Sequence, residues 1–318
     1  MRLCRYEADG QVRLGLYGEQ QIVDFAAGAK AYADATHESL ELTSSDSLLD
    51  YLPPAGAGFQ AALKLSAWVE RNAGKLPTPA TVATSSVQLL VPIPQPNKIF
   101  LLAGNYAKHI EEGGGKASER EATFPYVFMK PPSTTLTHPG QPVRIPAVSP
   151  NFIDWELELA VVIGKRVKEV KEADALAAVA GYTIVNDISN RKFRPNPGRT
   201  LREKDTFFDW LHGKWFDTFC PCGPCITSAD AIPDPQKLDL KLTLNGQVRQ
   251  DSSTAMQIFP VAAVIEFISN MVTLEPGDII STGTPDGVGN ASGTYLKAGD
   301  IMEASIGSIG TLVSPVTA

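Results

Sequence analysis

Several short stretches of this chain carry residues in spacings that could do chemistry. The sharpest is Asp154-Trp155-Glu156-Leu157-Glu158-Leu159, where carboxylates alternate with large apolar side chains and Ala160-Val161-Val162-Ile163 follows. Alternation of period two predicts a strand, whose successive side chains point to opposite faces. Asp154, Glu156 and Glu158 then share one face, and Trp155, Leu157 and Leu159 the other. Neighbouring carboxylates repel each other and resist desolvation, so a hard divalent cation, which prefers carboxylate oxygen, is the natural counter-charge. The competing reading is an edge strand whose acidic face meets water.

The other stretches are weaker alone. His109 and Glu112 stand at i and i+3, side by side on one helical turn. A carboxylate beside an imidazole fixes its tautomer and favours the imidazolium, which is how a general base is commonly built. A surface His–Glu pair at a helix start has the same spacing. Tyr182-Thr183-Ile184-Val185 reads as a short apolar strand that delivers Asn186-Asp187, with Arg191 shortly after and Lys214 further on in Gly213-Lys214-Trp215. A lone basic residue is most often solvated, so Arg191 and Lys214 need context. Ser281-Thr282-Gly283-Thr284-Pro285, at a strand end, could offer backbone N–H groups to an anion. Cys220-Pro221-Cys222-Gly223-Pro224-Cys225 invites a zinc reading. It lacks the two spaced pairs of a structural zinc site, Cys4 is distant, and a turn that carries thiols is expected instead.

The elements that must position these residues follow from local patterns. Residues 1–24 read as short strands, with Asp9-Gly10 as the hairpin turn between Arg2–Tyr6 and Val12–Leu16. The pattern then becomes helical: Ser45-Asp46 is placed to cap a short helix through Leu48-Leu49, and Phe59 to Val69 has helical spacing. Leu76-Pro77-Thr78-Pro79 and Val91-Pro92-Ile93-Pro94-Gln95-Pro96 read as linker or edge. Lys98 to Ala103 is a strand ending in a Gly104-Asn105 turn, and Gly113-Gly114-Gly115 fits a hinge beside His109 and a plain surface loop equally well. Phe124 to Lys130 is a further strand, and Lys171 to Ala180 a short helix closed by Gly181. Phe193 to Asp209 is expected to run over the surface, and Lys241 to Val248 is a hairpin turned at Asn245-Gly246. Pro260 to Met271 is a helix with Val264, Ile265, Ile268 and Met271 on one face.

Composition bounds the function. With 318 residues, 43% hydrophobic, 20% charged and a net charge of −7, the chain is an ordinary globular protein with one large or two unequal domains. No basic cluster suggests a nucleic-acid surface. No apolar run is long enough to span a bilayer, and Met1-Arg2-Leu3-Cys4-Arg5 is no signal-peptide core, so a soluble cytoplasmic protein is expected. There is no Gly-rich strand-to-helix fingerprint of a dehydrogenase, and no internal repeat.

Taken in order, the pieces resemble the fumarylacetoacetate hydrolase family, also called the fumarylacetoacetase C-terminal-domain family. They are Gly104-Asn105-Tyr106 with His109 and Glu112, Lys130-Pro131-Pro132-Ser133, and Glu156 through Gly164. Asn186-Asp187-Ile188-Ser189 with Arg191, Gly213-Lys214 with Phe216-Asp217-Thr218, and Ser281 through Pro285 complete the set. The likeness runs from roughly residue 95 to 312. It implies an α+β, mostly β fold, a mixed β-sandwich roll: residues 1–75 a small N-terminal α+β accessory domain, 76–96 a Pro-rich linker and 97–318 the catalytic domain, commonly dimeric.

The resemblance also implies roles. Glu156, Glu158 and Asp187 would ligate Mg²⁺ or Mn²⁺, and His109 with Glu112 would activate water on a segment that closes over the site. Lys214 would act in catalysis; with Arg191 it would bind the oxo-acid end of a small anionic 2-oxo acid or its developing enolate. Thr284 would hold a carboxylate, and Lys130 joins Arg191 and Thr284 as substrate-binding. The implied reaction is hydrolysis of a C–C bond in a 2,4-dioxo acid, acylpyruvate or fumarylpyruvate-like, through an enolate stabilised by the ion and Lys214. The alternative is decarboxylation or isomerisation of a 2-oxo or 2-hydroxy-diene dioic acid in aromatic-compound catabolism. A non-catalytic binding protein on the same scaffold is the rival from another class, and the retained carboxylates, His–Glu pair and lysine count against it. Two departures bear on the substrate: Lys192 stands where an acidic residue often follows the arginine, and the segment before Lys214 is long and carries Phe207-Phe208-Asp209-Trp210-Leu211.

Overall fold

The acidic stretch becomes the strand Leu157–Ile163, and it lies inside a sheet, not at its margin. It pairs antiparallel with Val179–Asn186 on one side and Ile279–Ser281 on the other. The computed structural model describes residues 1–42, 45–77 and 80–318. In it a 12-stranded sheet runs from Thr81–Ala83 at one margin to Tyr126–Met129 at the other. A 5-stranded sheet, with Asp239–Leu244 and Ile301–Ile306 in its interior, packs against it, and the sheets form no closed barrel. The fold is α+β, a mixed sandwich roll.

Period-two alternation decides what each face of the central strand touches. Leu157, Leu159, Val161 and Ile163 join one core with Leu240, Leu242, Met302 and Ala304 of the second sheet and Val264, Ile265 and Ile268 of the helix Val261–Met271. Ala160 and Val162 join a second core with Phe25, Tyr51 and Leu65 from the N-terminal helical region. Burying each such side chain contributes about 1.5–3 kcal/mol, and these two cores hold the carboxylates of the same strand away from water. The first strand, Arg2–Ala8, pairs with Gln11–Leu16 across the Asp9-Gly10 turn, and also with Cys220–Ser228 and Gln88–Leu90, so it prolongs the large sheet. Among the described residues no helix is long and apolar enough to cross a membrane.

Several local expectations are corrected. The turn at Leu48 is a 3-10 helix, Leu48–Tyr51, that starts after Ser47; neither Ser45 nor Asp46 caps it. Of the expected helix 171–180, only Glu172–Ala175 and a 3-10 turn Leu176–Ala178 form, because Val179–Asn186 finds ladder partners on both sides. Gly181 lies inside that strand, where an added Cβ would collide with the Thr227 carbonyl; pairing overrides the helix propensity of alanine. The cysteine run is a buried strand, Cys220–Ser228, rather than a turn, with a register irregularity between Gly223 and Thr227, around Pro224. All four cysteines are free and buried, and burial pushes Cys220 and Cys225 up to about 12. Met271 leaves its expected face and is 61% exposed, since the helix ends there. The expected surface excursion ends in a helix, Asp205–His212. Of the proline-rich stretch, Thr78 and Pro79 lie outside the described residues.

Candidate active site

Glu158 projects from the central strand, Glu156 from the residue ahead of it, and Asp187 from just beyond the paired strand Val179–Asn186. The Asp187 N–H donates to the Glu156 carbonyl at 2.8 Å, which locks the two strand ends together. One carboxylate oxygen from each of the three residues lies within 4.8 Å of the others, and all three are buried. Glu158 Oε2 accepts from Ser281 Oγ at 2.6 Å and from the Gly283 N–H at 2.9 Å, while its Oε1 has no partner. Glycine is required at position 283, where φ is +89° and a Cβ would stand 2.8 Å from that of Asn105. The strand-end segment thus supplies backbone N–H to a protein carboxylate.

Asp154 does not join this cluster, contrary to the expected row of carboxylates on one face. The strand breaks between Asp154 and Leu157, and Ile153–Asp154 pairs with Ser189–Asn190. Asp154 instead accepts from the backbone N–H groups of Trp155, Gly289 and Asn290 and from Arg191 Nε at 2.7 Å.

Three cations crowd the carboxylates. Lys214 Nζ lies 2.5 Å from Asp187 Oδ2 and 3.1 Å from Glu156 Oε1. Arg191 Nη2 is 3.0 Å from Glu156 Oε1. Lys130 Nζ is 2.5 Å from Asp187 Oδ1 and donates to the carbonyls of Ile188 and Phe219, at 1% exposure. Burial pulls the Glu156 carboxyl upward, but Arg191 and Lys214 overcome it and hold the group at about 2. Burial, then Asp187 and Glu156, push Glu158 well above its ordinary value. Burial works against the Lys214 charge, yet Asp187 and Glu156 keep its pKa raised.

The donor set fits a divalent ion. It is all carboxylate oxygen, and Glu158 Oε1 is buried with neither a hydrogen bond nor an ion pair among the described residues. Glu156, Glu158 and Asp187 are the residues that would hold Mg²⁺ or Mn²⁺.

His109 and Glu112 meet on the short helix Ala107–Glu112, Nδ1 to Oε1 at 2.9 Å. Glu112 Oε2 accepts from the Gly287 N–H at 2.9 Å, so the dyad is tied to the segment after the strand Ile279–Ser281. A positive charge on His109 would help hold the Glu156 carboxyl down. The Gly113-Gly114-Gly115 run closes the helix as a hydrogen-bonded turn, with Gly114 at φ +80°. Asn105 anchors the approach to this helix: its Nδ2 donates to the carbonyls of Phe259 and Thr282, and its Oδ1 accepts from the Phe259 N–H. The Tyr106 hydroxyl is buried without a partner.

Two residues, Gln250 and Phe128, escaped the sequence reading. Gln250, from the hairpin strand Gln247–Ser253, is fully buried; it accepts from the Leu157 N–H and donates to Thr284 Oγ1 at 2.8 Å. Nothing local distinguishes it from any polar strand residue. Phe128 and Trp210 flank Lys214, their ring centres 5.0 and 5.5 Å from its Nζ. The Lys192 ammonium lies over the Phe152 ring, 4.4 Å from its centre.

The family signature described as "Fumarylacetoacetate (FAA) hydrolase C-terminal" matches residues 98–317, and the chain belongs to this enzyme family. Among its relatives is the oxaloacetate tautomerase fahd2, mitochondrial, of Xenopus laevis, 39% identical over 237 residues, 74% of this chain and 70% of the relative. The 2,4-didehydro-3-deoxy-L-rhamnonate hydrolase of Sphingomonas sp. (strain SKA58) is 41% identical over 224 residues, 70% and 73% of the two chains. Among solved structures, maleylpyruvate hydrolase from Sphingobium sp. SYK-6 in complex with manganese (II) ion and pyruvate shares 30% identity at a TM-score of 0.70. That match covers 100% of this chain and 99% of the other.

Proposed function

We propose that this chain is a divalent-metal-dependent hydrolase of 2,4-dioxo acids, R–CO–CH2–CO–COO⁻, which breaks the bond between C3 and C4. The observation that carries the reading is the His109–Glu112 pair, fixed at 2.9 Å and held beside the carboxylate cluster through Gly287. Glu112 accepts the Nδ1 proton of His109 and leaves Nε2 free to take a proton from water. The water oxygen adds to C4, the C3–C4 pair of electrons moves into the pyruvate fragment as its enolate, and a proton returns to C3. The products are R–COOH and pyruvate, which balances one water consumed. When bound, the ion supplies a Lewis acid at the oxo-acid end of the substrate. Lys214, kept charged by Asp187 and Glu156, places its ammonium where negative charge develops. Arg191 and Thr284 would receive the substrate carboxylate; Lys130, expected to bind substrate, is fully buried on Asp187 and two backbone carbonyls and would position Asp187 instead. A homodimer belongs to the same reading, and sedimentation as a monomer would remove it.

A second reading has its own support, since relatives about as similar are oxaloacetate tautomerases. There the same base would move a proton between C3 and the 2-oxo oxygen without adding water. Product analysis of acetylpyruvate and oxaloacetate with Mg²⁺ or Mn²⁺ separates the readings. Acetate plus pyruvate means hydrolysis, keto–enol exchange without cleavage means tautomerisation, and CO₂ means decarboxylation. Full activity after chelation, or in His109→Ala, overturns the proposed mechanism.

A further inference from the structure

We propose that the distal R group of the substrate is an uncharged alkyl or aryl tail, seated in an aromatic cavity next to Lys214. This rests on the hydrolase reading and names its substrate class. The cavity is about 570 Å³ and is walled by Phe124, Tyr126, Phe128, Phe207, Trp210 and Phe267 among others. That size suits a small organic ligand and far exceeds an acetyl group.

Two shared rings place the cavity against the site. Phe128 and Trp210 wall the cavity, lie edge-on with centres 5.0 Å apart, and are the same rings that flank the Lys214 ammonium. A substrate whose oxo-acid end meets Lys214 therefore has the cavity on the other side of its aromatic collar. Phe207 and Trp210 are presented together by the helix Asp205–His212, at i and i+3. Arg199 fastens that helix from its polar side, 3.1 Å from Asp205 and 2.5 Å from Asp209.

The walls decide the chemistry of the tail. No lining residue is Lys, Arg, His, Asp or Glu. A second carboxylate would lose its hydration there without gaining a partner. Arg120, on the segment leading into Phe124, is already paired with Glu172, and Lys192 is stacked on Phe152. Meanwhile Phe124, Tyr126 and Phe207 are 58%, 63% and 54% exposed, an apolar patch of the kind that marks a binding surface.

The test is a ligand series on the full chain with saturating Mg²⁺, read as binding so that no turnover is needed: pyruvate, 2-oxohexanoate, 2-oxooctanoate and the charged 2-oxoadipate. Affinity is expected to rise about fourfold per added methylene among the uncharged acids, with 2-oxoadipate below 2-oxohexanoate. Phe207→Glu and, separately, Phe124→Asp, both at the exposed rim, should flatten the series and leave pyruvate affinity unchanged. Affinity independent of tail length, or a preference for the charged tail, overturns the proposal. So does a Phe207→Glu variant that turns a dimer into a monomer with the series intact, because the patch is then covered by a second copy. If acetylpyruvate is not cleaved, the hydrolase reading falls, and the affinity series still decides this one.

Discussion

Replacing Glu112 by Gln alters the protonation logic of the dyad while keeping its shape. In the wild type, Glu112 Oε1 lies 2.9 Å from His109 Nδ1, and Oε2 accepts the Gly287 N–H at the same length. Both partners therefore face an acceptor, and the histidine proton resides on Nδ1. A glutamine has one acceptor only, and the Gly287 N–H, which is fixed in the backbone, claims it. The glutamine NH2 then meets Nδ1, which must become an acceptor, so the ring proton moves to Nε2 and the base is gone. General-base catalysis contributes about 10²–10⁴ in rate, or about 3–5 kcal/mol of barrier at 1.36 kcal/mol per decade. Stability should change by no more than about 1 kcal/mol, because the bond to Gly287 survives. Acetylpyruvate kinetics with Mg²⁺, with a thermal melt on the same sample, is the assay. The expected result is kcat lower by two to four orders of magnitude with KM and Tm nearly unchanged, whereas Glu112→Ala should lose rate and Tm together. A Glu112→Gln enzyme that turns over at an undiminished rate would refute the assignment of the base.

Mg²⁺ or Mn²⁺ should stabilise the protein by about 2.7 kcal/mol at a hundredfold excess over Kd. Thermal shift should detect this in the wild type but not in Glu158→Gln, and equal shifts in both would exclude Glu158 as a ligand. Lys214→Met strips Asp187 and Glu156 of a buried partner, a loss that typically costs about 3–5 kcal/mol. Denaturant melts should show Mg²⁺ restoring much of that stability without restoring turnover, and a metal-free variant as stable as the wild type would contradict the ion-pair geometry. His138 Nδ1 accepts the Val91 N–H at 3.0 Å, and burial, then Arg5, lower its pKa below the ordinary 6.5. The unfolded chain then takes up the proton first, so this contribution is full above pH 6.5 and is lost as pH falls through the folded value. Urea midpoints measured downward from neutral pH should fall less steeply in His138→Gln than in the wild type.

What could be read from the sequence was whatever depends on near neighbours. The period of two at Glu156 to Ile163 announced a strand and put Glu156 and Glu158 opposite Leu157 and Leu159, as the two cores confirm. The same rule misplaced Asp154, because the strand is broken by partners far along the chain: Arg191, Gly289 and Asn290. Gly181 looked like a helix terminator for the same reason, since the strands that recruit Val179–Asn186 come from distant sequence. The His109–Glu112 contact was legible because one helical turn suffices to make it, whereas its fastening to Gly287 was not. Asp187 was legible as the end of a short apolar strand, but its place beside Glu156 and Glu158 came only through the family resemblance. Gln250 and Phe128 were invisible, as neither lies near its partner in sequence.

The two halves of the candidate catalyst are mounted on very different supports. Glu158 sits on a strand paired on both edges and buried throughout, while His109 rides on a six-residue helix with no buried residue. Amide exchange at Val161 should therefore await global opening, and at Ile110 it should follow local fraying. A lineage of such proteins can retune the helix and its neighbourhood at little cost to foldability, but any drift at the ion cradle endangers the architecture itself.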